Sequence, residues 1–100
     1  MRVCFTPLAA TDLENIADYI AQDNPRRAIS FVQEIKLQCQ KIGLAPSVYA
    51  VRTEIAPSLR SCAFGRYVIF FQMEPDHVLI ARILHSAMDL PQQFEDMGPH

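Results

Sequence analysis

Three arginines and one histidine in the second half of the chain are the residues best suited to phosphate or proton-transfer chemistry. Arg60, Arg66, Arg82 and His85 lie in or beside short apolar segments. If those segments form neighbouring strands, the four side chains can converge on one sheet. Guanidinium groups stabilise charge on a phosphate and an imidazole transfers protons, so these residue types fit chemistry at a phosphate group.

Each of these residues also has a structural interpretation. Arg82 inside a strand fits an ion pair, with Asp89 or Glu54 as partner, and His85 at a strand end fits a hydrogen-bonding corner residue. Arg66 follows a glycine and can simply begin an exposed strand. We therefore treat the four residues as linked to activity without assigning a catalytic role to any of them.

Basic and phenolic side chains are scarce toward the C-terminus. No lysine follows Lys41, and no tyrosine follows Tyr67.

Metal and redox chemistry have little support in the pattern. Cys4, Cys39 and Cys62 are widely spaced and form no CxxC pair, and the histidines show no metal-ligand spacing beside them. We expect the cysteines to be small buried hydrophobic residues, and we expect neither a metal nor a cofactor.

The net charge of −2 conceals an uneven distribution. Residues 1–24 carry −3, residues 25–82 carry +4 and residues 83–100 carry −3. A basic middle between acidic ends suggests an acidic partner, although a mixed solvated surface explains it equally well. The excess is too small to predict direct sequence-specific binding of nucleic acid.

The length of 100 residues predicts one domain over residues 1–100, with residues 95–100 as a frayed tail. No apolar stretch approaches the ~20 residues that span a bilayer, and the N-terminus lacks the apolar run of a signal peptide. We therefore expect a cytoplasmic protein with no membrane partner.

Two amphipathic helices are predicted from capping signals and apolar spacing. A helix begins at Thr6-Pro7, or alternatively at Thr11, and a second begins at Asn24-Pro25 and ends at a C-capping Gly43. With a junction of about two residues, they should form an antiparallel hairpin. The apolar positions, at helical spacing, are Leu13, Ile16, Ala17 and Ile20, then Ala28, Phe31, Val32, Ile35, Cys39 and Ile42.

The remaining elements are strands. Residues 2–6 form a first short strand, and after a loop at 44–58 a period of two marks strands at 59–64, 66–73 and 77–84. The last three should be antiparallel, whereas the position of the first strand cannot be read from periodicity. The order predicts an α+β fold, β-α-α-β-β-β, with the helical hairpin packed on a mainly antiparallel sheet.

The last two strands are apolar on both faces, although a sheet packed on one side needs only one apolar face. In strand 66–73, Tyr67, Ile69 and Phe71 point one way, while Val68 and Phe70 point the other. The second face therefore needs a cover, which is the long loop, the C-terminal tail or a partner.

Several segments in this order resemble the ParE branch of the RelE/ParE toxin superfamily, over roughly residues 3–94. They are Phe5-Thr6-Pro7-Leu8-Ala9 with Asp12-Leu13-Glu14-Asn15-Ile16, Tyr19-Ile20-Ala21-Gln22-Asp23-Asn24-Pro25, Leu59-Arg60-Ser61 with Gly65-Arg66-Tyr67-Val68-Ile69-Phe70-Phe71, and Arg82-Ile83-Leu84-His85-Ser86-Ala87-Met88-Asp89.

The resemblance implies the toxin of a type II toxin–antitoxin system, which inhibits DNA gyrase by binding and is neutralised by a cognate ParD-like antitoxin in a hetero-oligomer. The other branch of the superfamily implies the alternative, a ribosome-dependent mRNA endoribonuclease. Members of the family often carry a basic residue where this chain has Met88. A toxin fold that has lost its activity and binds only antitoxin is therefore a third interpretation.

The segment that neutralises such a toxin would cover apolar surface of the helices and the sheet. Four residues are expected to contact it: Phe31, Tyr67, Phe71 and Ile83. For each of them, membership of the protein core is the competing interpretation.

Overall fold

The structure, a computed structural model, describes residues 1–87. Its element order confirms the predicted β-α-α-β-β-β arrangement. The elements are β1 (Arg2–Phe5), α1 (Pro7–Ala21), α2 (Pro25–Leu44), a short 3₁₀ turn (Pro46–Val48), β2 (Arg60–Phe64), β3 (Tyr67–Met73) and β4 (His77–His85). No helix within residues 1–87 has the length and apolar character needed to cross a membrane.

Both helices begin where a capping residue precedes a proline. The Thr6 hydroxyl accepts a hydrogen bond from the Ala9 amide at 3.0 Å, and the Asn24 side chain accepts one from the Arg27 amide at 3.1 Å. These bonds satisfy amides that have no partner inside the helix. The alternative start at Thr11 is wrong, because that residue lies within the second turn of α1.

The four strands form one sheet in the order β1-β4-β3-β2. β2, β3 and β4 are antiparallel neighbours as predicted, whereas β1 pairs in parallel with the first half of β4. β4 is therefore a central strand over His77–Ile80, and further along it has no β-strand neighbour on that side among residues 1–87. This half-paired strand determines where the candidate site lies.

An irregularity in the pairing of β3 with β4 changes which β4 side chains enter the core. Phe71 pairs with Ile80 but Phe70 pairs with Arg82, so Ala81 is an extra residue on β4. Such a bulge resets the alternation of side chains. Ile80 and Ile83 both enter the core beneath the helices although they are three residues apart.

The main core lies between the helical hairpin and one face of the sheet. Its fully buried members come from both helices and from β2, β3 and β4: Ala9, Leu13, Ile16, Phe31, Ile35, Cys39, Ile42, Cys62, Ile69, Phe71, Val78, Ile80 and Ile83.

The opposite face of the sheet is covered by the chain itself. Phe70 and Leu84 form a second buried cluster there, against which Ile55 and Ala56 of the loop before β2 pack. The loop is pinned by a hydrogen bond from the Arg52 amide to the Leu59 carbonyl. Of the three covers considered for this face, the loop is thus the one that the described residues supply.

Gly43 does not end α2, which runs on to Leu44. Its missing side chain instead lets the start of the chain approach the helix. A Cβ atom placed on Gly43 would lie 2.7 Å from Cγ2 of Val3 and 2.8 Å from the carbonyl oxygen of Met1. The Met1 amino group also donates a hydrogen bond to the Gly43 carbonyl at 2.8 Å. The glycine is therefore required by close packing of β1 against α2.

We expect Gly43→Ala to lower the free energy of unfolding by about 1–3 kcal/mol, because the new methyl group overlaps backbone that must shift. Urea denaturation measures the change. Leu44→Ala is the matched control, since Leu44 is 83% exposed and its truncation removes little buried surface. Equal unfolding midpoints for Gly43→Ala and the parent chain would contradict the packing argument.

Candidate functional site

Of the four activity-linked residues, Arg66, Arg82 and His85 line one groove and Arg60 lies apart from it. Arg60 lies on β2, an outer strand, where its Nη1 donates to the Tyr49 carbonyl at 2.6 Å and to the Ser47 carbonyl at 3.3 Å. Both carbonyls belong to the loop that follows α2. Arg60 therefore holds that loop against the sheet and lies away from β4.

Arg82 forms a two-pronged ion pair with Asp12 of α1. Its Nε lies 2.7 Å from Oδ2 and its Nη2 lies 2.8 Å from Oδ1, and the two side chains are only 13% and 11% exposed. Oδ2 also accepts the Ile83 amide at 3.0 Å. Charge-assisted, two-pronged bonds of this kind are among the stronger interactions in proteins.

Beyond the end of β1, the Asp12 carboxylate provides a hydrogen-bond acceptor for β4. The Thr6 amide donates to the Ile80 carbonyl at 3.0 Å and the Thr6 hydroxyl to the Ala81 carbonyl at 2.8 Å. The chain then turns into α1, and the next outward-facing amide of β4, that of Ile83, is satisfied by the Asp12 carboxylate. A carboxylate thus supplies the acceptor that a longer β1 would have provided.

Of the two partners expected for Arg82, Glu54 is wrong, and Asp12 was not among the residues considered. Glu54 instead pairs with Arg52, and that guanidinium lowers the pKa of the Glu54 carboxyl. Asp89, the other expected partner, lies outside the described residues, as does Met88. Asp12 gave no direct signal, because it is 70 positions from Arg82 and lies off the apolar stripe of its helix.

Arg66, Arg82 and His85 lie together at a groove between α1 and the adjoining ends of β3 and β4. The groove has a volume of about 480 Å³. Arg66 is exposed at its rim, and within residues 1–87 its guanidinium forms no ion pair. The lining residues are Asp12, Asn15, Ile16, Tyr19, Arg66, Tyr67, Arg82, Ile83, Leu84 and His85.

His85 is held in one orientation by two contacts. Its Nδ1 accepts the Ala87 amide at 3.1 Å, and its ring meets the Tyr67 ring edge-on with centroids 5.3 Å apart. A neutral imidazole that accepts at Nδ1 carries its proton on Nε2. In this orientation the ring offers Nε2–H as a donor, whereas a general base at Nε2 would require the other tautomer.

Tyr19 and Asn15 were missed as site residues. Both lie on the groove side of α1, and Tyr19 is 69% exposed. The available signal was an aromatic residue outside the assigned apolar stripe of an amphipathic helix. A large side chain left in water at the rim of a groove marks a candidate contact surface.

Three of the four residues expected to contact the antitoxin belong to the core of the isolated chain. Phe31, Phe71 and Ile83 are buried in the main cluster, which is the competing interpretation stated for them. Tyr67 is half-buried and lines the groove. A direct partner contact therefore has structural support at Tyr67, and burial argues against it at the other three.

The thiols lie in or near the core and are poorly suited to nucleophilic chemistry. Burial raises the pKa of Cys39 to about 12 and also raises the pKa of Cys62. Since the thiolate is the reactive form, both thiols are expected to react slowly. No group of three potential metal-ligating side chains occurs within residues 1–87.

Phe31→Ala should lower the free energy of unfolding by about 3–5 kcal/mol, the usual cost of emptying a buried aromatic site. Phe31 packs on the rings of Phe64 and Tyr67, with centroids 5.7 and 5.5 Å away. Chemical denaturation measures the loss. Ile29→Ala in the same helix is the control, because Ile29 is mostly exposed. If Phe31→Ala left the free energy of unfolding unchanged, Phe31 would be assigned to the antitoxin-contact surface instead of the core.

Asp12→Ala should lower the free energy of unfolding by about 3–5 kcal/mol, because it removes the carboxylate from a buried guanidinium and from the Ile83 amide. Adding Arg82→Met should recover part of that loss. A double-mutant cycle by denaturation measures the coupling, and Glu14→Ala, on an exposed position of the same helix, is the control. Strictly additive effects of the two substitutions would show that the pair is not coupled.

Comparison with known proteins places this geometry in a family. The chain is similar to a chain of the chromosomal ParDE TA system from P. aeruginosa, with 25% sequence identity, a TM-score of 0.76 and coverage of 85% of this chain and 95% of that one. A search of curated proteins gave no match. The family model for the ParE toxin of the type II toxin–antitoxin system parDE matches residues 3–90. The chain therefore belongs to the ParE toxin family.

Proposed function

We propose that this toxin inhibits DNA gyrase by binding to it, in the cytoplasm, and that a cognate ParD-like antitoxin neutralises it in a hetero-oligomeric complex. The observation that carries the proposal is the match to the ParE toxin family over residues 3–90, which spans Arg60, Arg66, Arg82 and His85. The similar structure from a ParDE system supports an antitoxin as the partner.

The use of the basic residues favours binding over RNA cleavage. Arg60 is engaged by loop carbonyls and Arg82 by Asp12, so neither guanidinium is presented at the groove as a free phosphate ligand. His85 is oriented as a donor through Nε2. Cleavage needs an activated 2′-hydroxyl, a stabilised phosphate and a protonated leaving oxygen, and Arg66 with His85 is a small set for three tasks.

The third interpretation, a toxin fold without activity, depends on Met88. That position lies outside the described residues, so the groove geometry neither favours nor disfavours it. This interpretation would be supported if the protein bound antitoxin but left growth unaffected when expressed alone.

Expression of the chain without antitoxin should arrest growth, and the purified protein should inhibit supercoiling by DNA gyrase. Co-expression of the proposed cognate ParD-like antitoxin is the control and should restore growth. Soluble protein with undisturbed growth would contradict toxicity, and unchanged supercoiling would contradict the gyrase target alone. Transcripts cut within ribosome-bound codons would support the endoribonuclease instead.

A further inference from the structure

We infer that the groove between α1 and the ends of β3 and β4 binds an acidic peptide segment of the antitoxin, with Arg66 as the anchor for a carboxylate. The inference rests on the proposed function, since it requires that an antitoxin exists. It adds which surface is covered and which chemical group is recognised there.

Charge complementarity is the first support. The other charged groups of the groove are satisfied internally, because Asp12 is bonded to Arg82 and to the Ile83 amide. Arg66 is exposed and, among residues 1–87, has no acidic partner. A guanidinium offers paired donors that match a carboxylate. Within the described part of the chain, Arg66 is therefore the guanidinium of the groove that a carboxylate of a partner can bind.

The aromatic walls are the second support. Tyr19, on α1, is 69% exposed, and it lines the groove together with Tyr67 at the start of β3. Tyrosine rings supply a rigid contact area that loses little conformational entropy on binding, and they are common in protein interfaces. An acidic side chain flanked by apolar residues would engage Arg66 and both rings together.

A protein segment fits this groove better than a nucleic acid. A phosphate backbone is bound by several lysines and arginines acting together. Among residues 1–87, by contrast, the groove has Arg66 as its one guanidinium without an ion pair, and the Asp12 carboxylate lies in its wall. The whole chain is also slightly acidic, with a net charge of −2. A single carboxylate on a peptide requires no further cations.

Occupation of this groove would cover Arg66, Arg82 and His85, the three activity-linked residues that line it. Tyr67 would be covered at the same time. An antitoxin bound in the groove would therefore neutralise the toxin by blocking its surface, with no change of the fold required.

The test uses charge reversal at two exposed arginines. Arg66→Glu should weaken binding of the cognate ParD-like antitoxin by at least about tenfold, since the charge pair is replaced by repulsion. Arg26→Glu is the matched control, because Arg26 is exposed near the start of α2, outside the groove, and should change the dissociation constant less than threefold. Tyr19→Ala should also weaken binding, and circular dichroism should show all three variants folded. Titration calorimetry gives the dissociation constants.

The outcomes separate the two proposals. Tight binding by the parent chain with equal losses for Arg66→Glu and Arg26→Glu would overturn the groove assignment and leave the toxin–antitoxin function intact. Absence of partner binding and of growth arrest for the parent chain would overturn the proposed function itself. Rescue of Arg66→Glu by a single Glu→Lys or Asp→Lys change in the partner would identify the anchoring carboxylate. A steep salt dependence of binding to duplex DNA, lost in Arg66→Glu while partner binding is kept, would assign the groove to nucleic acid and overturn the inference.

Discussion

The bond network of the Asp12 carboxylate is the interaction on which the rest of this structure depends. β4 is longer than β1, so within residues 1–87 the side of β4 facing β1 has no strand partner after Ile80. Buried amides need an acceptor, which the strand ladder does not supply here. By accepting from Arg82 and from the Ile83 amide, Asp12 satisfies the strand and ties α1 across it. The groove is the space that remains beside this junction.

This network also determines what the groove can do. An arginine in a strand near the end of a sheet is available for a phosphate only if no carboxylate already holds it, and Arg82 is held on two of its nitrogens. Arg60 is likewise engaged, by the carbonyls of the loop after α2. The bonds that Arg60 and Arg82 form within the chain stabilise the fold. Arg66 and His85 remain as the activity-linked groups that the proposed partner contacts. A recognition surface follows more naturally from this arrangement than a cleavage site.

Local signals predicted most of the elements, and long-range contacts account for most of what was missed. Thr6 and Asn24 before prolines located both helices, because a cap and a fixed φ act within one turn. The parallel placement of β1, the bulge at Ala81 and the Asp12–Arg82 pair depend on residues far apart in the chain, which periodicity does not relate. Gly43 is a further example. A glycine near a helix end suggests a C-cap, and only the positions of Val3 and Met1 show that close packing requires it.

The cover on the second sheet face changes where a partner is expected. Double-sided apolar strands suggested an interface on the sheet, but Ile55 and Ala56 bury that face within the chain. The phenylalanines and isoleucine expected to contact antitoxin are buried for the same reason: they are what the helices and the sheet need to hold together. The proposed partner contact therefore lies at the ends of the strands instead, where Tyr19, Arg66 and Tyr67 line the groove. Burial of the sheet faces within the chain moves the proposed contact from the apolar strand faces to the aromatic and charged side chains at their ends.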